Sequence, residues 1–261
     1  MSLERVGLIK TSLIDYPGEV AAVIFTAGCN LRCPFCQNPA LTAGKIPADF
    51  LPLEEVISFL KRRRQVIGGV CITGGEPLIH DDLTDLADKI HDLGFKIKID
   101  TNGTFPEKLK KAGPDFVALD IKTSPEKYHR LLPENTNLQL DLFETRTAGM
   151  SAVWPRVIRT LEWIGETGID FELRTTVVPD LVTTEDVSII AAFLAGGFAD
   201  AIAKRGRYIL AGYRPENALD PAFASLRPYP ESVIERMAAI AQAEGINCLI
   251  RPNRAPGEQQ P

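Results

Sequence analysis

The stretch Cys29-Asn30-Leu31-Arg32-Cys33-Pro34-Phe35-Cys36 places three thiols in a C-x3-C-x2-C spacing within one short loop. Thiolates are soft ligands that select zinc, copper(I) or iron–sulfur clusters. An iron–sulfur cube ordinarily takes four cysteines, one per iron. Three here, with no fourth at ligand spacing, would leave one iron of a [4Fe–4S] cluster without a protein ligand. Metal sites do their chemistry at such open positions. Two other readings of the same residues stand beside this one. A structural zinc knuckle would draw its fourth ligand from the three histidines, Cys71 or Cys248. A group of reduced, inert thiols would need no metal at all.

Outward from this loop, the chain alternates short apolar runs with helical periodicity. Val20–Thr26, immediately before the thiols, is rich in β-branched and aromatic residues and reads as a buried strand. Further strands are expected at Gly69–Thr73, Phe95–Asp100, Phe116–Ile121, Phe171–Val178 and Arg207–Ala211, with a last one at Ile246–Ile250. Between them, Leu53, Val56, Ile57 and Leu60 recur at i, i+3, i+4 and i+7, as on one buried helix face. Leu83, Leu86, Ala87 and Ile90 repeat the pattern before Gly94, and Val157, Ile158, Leu161 and Ile164 before Gly168. Shorter helices are expected over Pro106–Lys111, Val187–Leu194 and Val233–Glu244. Pro17-Gly18 is a turn, residues 123–153 read as an irregular excursion with at most short helices, and 212–230 as an irregular connection.

Alternating strands and helices imply parallel βα units. About six units are too few to close an eight-stranded barrel, so the expected fold is α/β, a partial, open parallel (β/α)6 barrel. No repeat or linker divides the chain. It reads as a single domain over residues 1–261, with a core of about 18–211. An N-terminal segment, 1–17, and a C-terminal extension, 212–261, would pack on that core. The polar tail after Pro252 is expected to be mobile.

Composition narrows the function classes. At 45% hydrophobic and 24% charged, the 261 residues are those of a soluble globular protein. No apolar run approaches the ~20 residues of a membrane helix, and Met-Ser-Leu-Glu-Arg lacks the basic and apolar regions of a signal peptide. The expectation is a cytoplasmic protein without membrane contact. A net charge of −5 gives no general attraction to DNA. The basic runs Lys61–Arg64 and Lys108–Lys111 fall in expected helices and read as solvated faces. Five cysteines, three of them crowded together, make no disulfide framework. Cys71 and Cys248 read as buried thiols.

In parallel βα folds, active sites gather at the C-terminal ends of the strands. The thiol loop follows the first expected strand, Gly74-Gly75-Glu76-Pro77 the second, Asp100-Thr101-Asn102-Gly103 the third and Asp120-Ile121-Lys122 the fourth. Each alone has a plain reading: a flexible loop, a turn, or an acid with a lysine partner. Together they mark one end of one sheet. Glycines at 74 and 75 would let backbone approach a ligand closely. Glu76 would hold that loop or add negative charge beside a bound ammonium. Asp100 and Asp120 end apolar strands, where an unpaired carboxylate is costly. Lys122 would pair with either acid or meet a ligand carboxylate.

With Phe35 before the last thiol, the run C-x3-C-x-aromatic-C resembles the motif of radical S-adenosylmethionine (SAM) enzymes. In that family SAM chelates the open iron and is split reductively to methionine and a 5′-deoxyadenosyl radical. The whole motif set resembles the activases of glycyl-radical enzymes, in particular the long form of the anaerobic ribonucleoside-triphosphate reductase activases. The resemblance covers residues 5–122 and, more loosely, Arg174–Pro179. It rests on Leu13-Ile-Asp-Tyr-Pro-Gly18, the thiol loop continuing into Gln37-Asn38-Pro39, Gly74–Pro77 and Asp100–Gly103. It implies that Cys29, Cys33 and Cys36 bind the cluster, and that Gly74, Gly75 and Glu76 contact the SAM amino group. Asp100 would lie near the methionine moiety, Asp120 and Lys122 near the ribose and carboxylate, and Phe35 beside the cluster and adenine, with Asn102 a further cofactor-binding residue. It further implies a flavodoxin or ferredoxin as electron donor. By analogy with formate-lyase activases, a monovalent cation would be held by the Asp100 and Asp120 positions. One departure is Gln37, where many such activases carry histidine.

The expected activity is therefore installation of a glycyl radical on a partner enzyme, most readily the anaerobic reductase. A radical SAM enzyme acting on a small molecule, peptide or RNA is the alternative, because the sequence after 123 matches nothing specific. A non-catalytic metal-binding or electron-transfer protein is the third.

Overall fold

A computed structural model describes residues 3–133 and 153–252. Its strands are β1 (Arg5–Ser12), β2 (Ala21–Thr26), β3 (Leu51–Pro52), β4 (Gly69–Gly74), β5 (Lys96–Thr101), β6 (Phe116–Asp120), β7 (Asp170–Val177), β8 (Gly206–Gly212) and β9 (Cys248–Arg251). They form one sheet in the order β3-β1-β2-β4-β5-β6-β7-β8-β9. From β2 through β9 every pairing is parallel, giving six crossovers. Among the described residues β9 pairs only with β8, so the barrel stays open.

Six of the helices lie where the periodicity places them, and three short ones, Pro39–Thr42, Ala199–Arg205 and Pro221–Ala224, were not anticipated. They are α1 (Pro39–Thr42), α2 (Leu53–Arg63), α3 (Leu83–Asp92), α4 (Pro106–Ala112), α5 (Trp154–Thr167), α6 (Thr184–Gly197), α7 (Ala199–Arg205), α8 (Pro221–Ala224) and α9 (Glu231–Ala243). Val56 and Leu60 of α2, Leu86, Ala87 and Ile90 of α3, and Val157, Leu161 and Ile164 of α5 are buried in one apolar core. That core also takes Ile72, Ile97, Ile99, Val117 and Leu119 from the strands. Each large aliphatic side chain buried this way contributes about 1.5–3 kcal/mol. Gly168 ends α5 with φ +81°, a left-handed conformation that other residues enter at a cost. Thr183 and Asp186 form a reciprocal capping box at the start of α6.

One edge of the sheet also differs from the expectation. β1 and β3 were not anticipated, and both are antiparallel additions to the edge beside β2. Residues 5–12 bury only Val6 and Gly7, so the stretch shows no alternation to betray a strand. The short helix allowed for in the 123–153 connection is Pro125–Leu131, a 3-10 helix that buries Tyr128 and Leu131. Residues 134–152 and the tail from 253 onward lie outside the described residues. Among the described residues no single helix is long and apolar enough to cross a membrane.

One face of the sheet carries an unusual load. Along β5 the side chains alternate, with Ile97 and Ile99 in the apolar core while Lys98 and Asp100 share an ion pair on the opposite, concave face. Arg174 of β7 reaches across to Asp100 and Asp120 on that same face. The inside of this barrel is therefore a charged layer rather than a hydrophobic plug.

Candidate active site

The thiol loop leaves β2 at Thr26 and is held from several sides. The Gly28 amide donates to Leu41 O at 2.6 Å, and its own carbonyl accepts from Glu76 N at 2.8 Å. The Gly75 amide donates to Thr26 O at 3.0 Å. The first two glycine-rich segments are thus stitched to each other by backbone alone. Here the glycines are obligatory: a Cβ at Gly75 would stand 1.9 Å from Gly28 O, and one at Gly74, whose φ is +123°, 2.3 Å from Thr26 O. Asn102 ties in the third segment, donating from its side chain to Asn30 Oδ1 at 2.9 Å, while Asn30 donates to Thr104 Oγ1 at 2.9 Å. The Arg32 amide donates to Leu131 O at 2.7 Å, and Asp220 N to Pro34 O at 2.9 Å. Gln37, the departure noted above, donates from Nε2 to the Arg214 carbonyl at 2.9 Å.

The loop borders a cavity of about 550 Å³. Cys29, Cys33, Cys36, Phe35, Gly74, Gly75, Asp100, Asn102, Asp120 and Lys122 all line it. Ten of the eleven residues singled out in the sequence thus meet around one space. Glu76 is the exception. Its carboxylate is 1% exposed and accepts from Asn102 N at 2.7 Å, Thr101 Oγ1 at 2.9 Å and Leu78 N at 3.2 Å. It holds the loop, the first of the two roles read from sequence. Burial pushes its pKa up to about 7, against the pull of those three donors.

Burial likewise raises Cys29 to about 11 and Cys33 to about 12, with the Lys122 charge opposing the shift at both. As free thiols they keep their protons at neutral pH, and ligation must expel them. Among the described residues no three His, Cys, Asp or Glu side chains converge tightly enough for one metal ion. A tetrahedral zinc knuckle needs that convergence, whereas thiolates on separate irons of a cube stand farther apart. None of the fourth ligands considered for zinc lines the cavity. His80 bonds Ala27 O at 2.9 Å, His91 contacts Asp115 at 3.1 Å, and His129 bonds Glu126 O at 2.7 Å. Cys71 and Cys248 are buried thiols, as expected. Three thiols around a cavity of that size, with the Gly75 backbone beside Cys29, fit a three-cysteine iron–sulfur cluster and a small ligand.

Lys122, as read, pairs with an acid: its Nζ lies 2.8 Å from Asp120 Oδ2. Two other cations were missed. Lys98, 2% exposed, pairs with Asp100, and Arg174 donates from Nε to Asp120 at 2.6 Å and from Nη1 to Asp100 at 3.1 Å. Burial would raise both carboxyl pKa values, but Arg174 with Lys98, and Arg174 with Lys122, outweigh it and hold Asp100 and Asp120 below the usual carboxylate range. The signal available for Lys98 was the strict alternation Lys96-Ile-Lys-Ile-Asp100. The cavity is also lined by Asp15 and Thr176, from stretches that carried the resemblance but no expected role, and by Arg214 and Arg251, from outside it.

The model of the Radical SAM superfamily matches residues 23–193. A Methanocaldococcus jannaschii protein, whose name assigns it provisionally as a glycyl-radical enzyme activating enzyme, is 28% identical over 253 residues, 94% of each chain. The GTP 3′,8-cyclase of Aquifex aeolicus is 33% identical over 134 residues, 48% of this chain and 42% of the cyclase. Among solved structures, Streptococcus suis SuiB bound to S-adenosylmethionine superposes with a TM-score of 0.60 at 18% identity, covering 90% of this chain and 50% of SuiB. At that identity the likeness speaks for the fold.

Proposed function

The chain belongs to the radical SAM superfamily, and from that premise we propose that it installs a glycyl radical on a partner enzyme. The partner we favour is an anaerobic ribonucleoside-triphosphate reductase. The observation that carries this reading is the similarity, over 94% of both chains, to a protein named as a glycyl-radical enzyme activating enzyme. The cluster and SAM, when bound, supply a 5′-deoxyadenosyl radical able to abstract hydrogen from a glycine; the chemistry is theirs and the positioning is the protein's.

In this reading Cys29, Cys33 and Cys36 hold the cluster, and Phe35 shields it. Gly74 and Gly75 present backbone to the SAM amino group, since Glu76 spends its carboxylate on the loop. Asn102 keeps the thiol loop in register with β5. Asp100, Asp120 and Lys122 face the rest of the ligand from the cavity wall. Lys98 and Arg174 keep the two acids ionised. For the monovalent cation, Asp100 and Asp120 offer no uncompensated charge, because Lys98, Lys122 and Arg174 already face them. We therefore assign none. A low-potential flavodoxin or ferredoxin remains the electron donor in this proposal.

The small-molecule alternative draws on the cyclase match, but that match covers 48% of this chain against 94% for the activating-enzyme relative. Anaerobic reconstitution followed by reduction with SAM and the reductase tests the reading. A glycyl-radical doublet in the EPR spectrum, lost in Cys33→Ala, is the expected result. Formation of 5′-deoxyadenosine without a doublet on any glycyl-radical protein would overturn it in favour of another substrate.

A further inference from the structure

Glu172 belongs to no motif and has no part in the site described so far. It lies on β7 two residues before Arg174, so the two side chains leave the same, concave face of the sheet. The residue is 3% exposed. Three guanidiniums face its carboxylate. Arg174 Nη1 stands 3.5 Å and Arg251 Nη2 3.9 Å from Oε1, and Arg207 Nη2 3.3 Å from Oε2. They belong to β7, β9 and β8 in turn.

Stability alone does not explain an acid at this position. Taking a carboxylate out of water is costly, and well-packed apolar side chains serve a core as well as a buried ion cluster or better. Nor does the acid need three partners, since Arg207 already donates a hydrogen bond to it. Arg207 and Arg251 do something else: they tether the carboxylate from the two strands beyond β7. Held that way, Glu172 is a fixed point against which Arg174 is set.

Arg174 commits Nε to Asp120 at 2.6 Å and divides Nη1 between Asp100 at 3.1 Å and Glu172 at 3.5 Å. Asp100 and Asp120 line the cavity, and Glu172 does not. In the register of β6 and β7, Arg174 stands beside Asp120 and Glu172 beside Ala118, one layer nearer the N-terminal ends of the strands. The guanidinium is therefore gripped from above by two cavity acids and from below by a third. It is planar and rigid, so contacts on both sides fix its plane.

We propose that Glu172 is a positioning residue for SAM, acting through Arg174 on the carboxylates of Asp100 and Asp120. Without it, Arg174 is drawn only upward, onto two acids that Lys98 and Lys122 already face. Three cations then share two carboxylates, which turn on the cavity wall to accommodate them. A wall set in advance binds a ligand at a lower ordering cost than one that rearranges on contact. This role rests on SAM occupying the cavity and is independent of which protein receives the radical.

The test is SAM binding, kept separate from radical transfer. Dissociation constants are measured by equilibrium dialysis on the anaerobically reconstituted holoprotein and referred to its cluster content. Wild type is compared with Glu172→Gln, Glu172→Asp, Arg174→Gln, the double variant Glu172→Gln/Arg174→Gln, and Asp115→Asn as control. Asp115 accepts from Ile97 N at 2.8 Å and contacts His91 at 3.1 Å, and it does not line this cavity. The expected result is a Kd raised about fivefold or more in Glu172→Gln, within the range of coupling between residues in contact. Arg174→Gln should already carry that loss, so adding Glu172→Gln to it should change the Kd little. Asp115→Asn should lower the urea midpoint and keep the wild-type Kd. If Glu172→Gln does not fold, Glu172→Asp decides: it keeps the charge, loses one methylene of reach, and should bind SAM about threefold more weakly than wild type. Wild-type affinity in the Glu172 variants overturns the proposal. So does an equal further loss in the Arg174→Gln background, or the same loss in Asp115→Asn. No SAM binding by wild type overturns the SAM reading of the cavity and this role with it.

Discussion

Replacing Arg174 with glutamine probes the charged layer inside the barrel most sharply. The guanidinium contacts Asp120 at 2.6 Å and Asp100 at 3.1 Å, and its side chain is 16% exposed. Breaking a fully buried pair costs about 3–5 kcal/mol. Here each acid keeps one lysine, Lys98 or Lys122, and some solvent, so the expected loss is about 2–3 kcal/mol at pH 7. The loss also has a pH signature. Both acids have folded pKa values below their unfolded ones. Such groups contribute stability that is complete above the unfolded carboxylate pKa of about 4 and is lost as pH falls through the folded value. Urea denaturation of the metal-free protein from pH 7 to pH 3 should therefore show wild type and variant separated at neutrality and converging below about pH 4. Arg174→Lys should recover part of the loss, having the charge without the fork. Potassium should leave the midpoints of wild type and Arg174→Gln alike unmoved, because each acid keeps a lysine partner. A variant as stable as wild type at pH 7, or a deficit undiminished at pH 3, would refute the assignment of these carboxylates to Arg174.

Other expectations follow from the same geometry. Gly75→Ala forces a methyl to within 1.9 Å of the Gly28 carbonyl; overpacking of that kind costs about 1–3 kcal/mol, and iron content after reconstitution should fall well below wild type. Cys71→Ala should retain the full iron content and Cys33→Ala should not, because only the second lines the cavity. Glu76 has a folded pKa raised from 4.5 to about 7, so its contribution is largest below pH 4.5 and is lost as pH rises through 7. In the metal-free protein, stability relative to Glu76→Gln should decline by about 3 kcal/mol across that window, at ~1.36 kcal/mol per pKa unit; a difference independent of pH would contradict the burial of an ionisable carboxylate there.

Much of this arrangement is legible in the sequence because it is local. A strand with β-branched residues running into Cys29, or into Gly74-Gly75, states its own identity and which end bears the motif. Parallel pairing then brings four such ends together, without any of them having to specify a partner. What escaped the sequence is what depends on distant contacts. Arg174 meets Asp100 across 74 residues, and Gln37 meets the Arg214 carbonyl across 177. A charge in a strand reads as a solvated face unless its partner is already known. β1 escaped for a related reason: it joins the sheet antiparallel at an edge and buries little. Glu76 shows the converse case, since sequence offered two roles and only the hydrogen bonds from Leu78, Thr101 and Asn102 choose between them.

The central claim is that a glycine of a partner protein gives up its hydrogen at this cavity. It is tested most directly by preparing the anaerobic reductase with its glycines deuterated at Cα, and analysing the 5′-deoxyadenosine formed with the reduced holoenzyme and SAM. The account predicts one deuterium transferred to 5′-deoxyadenosine together with a glycyl-radical signal on the reductase. Unlabelled 5′-deoxyadenosine, formed at the same rate with or without the reductase, would contradict it.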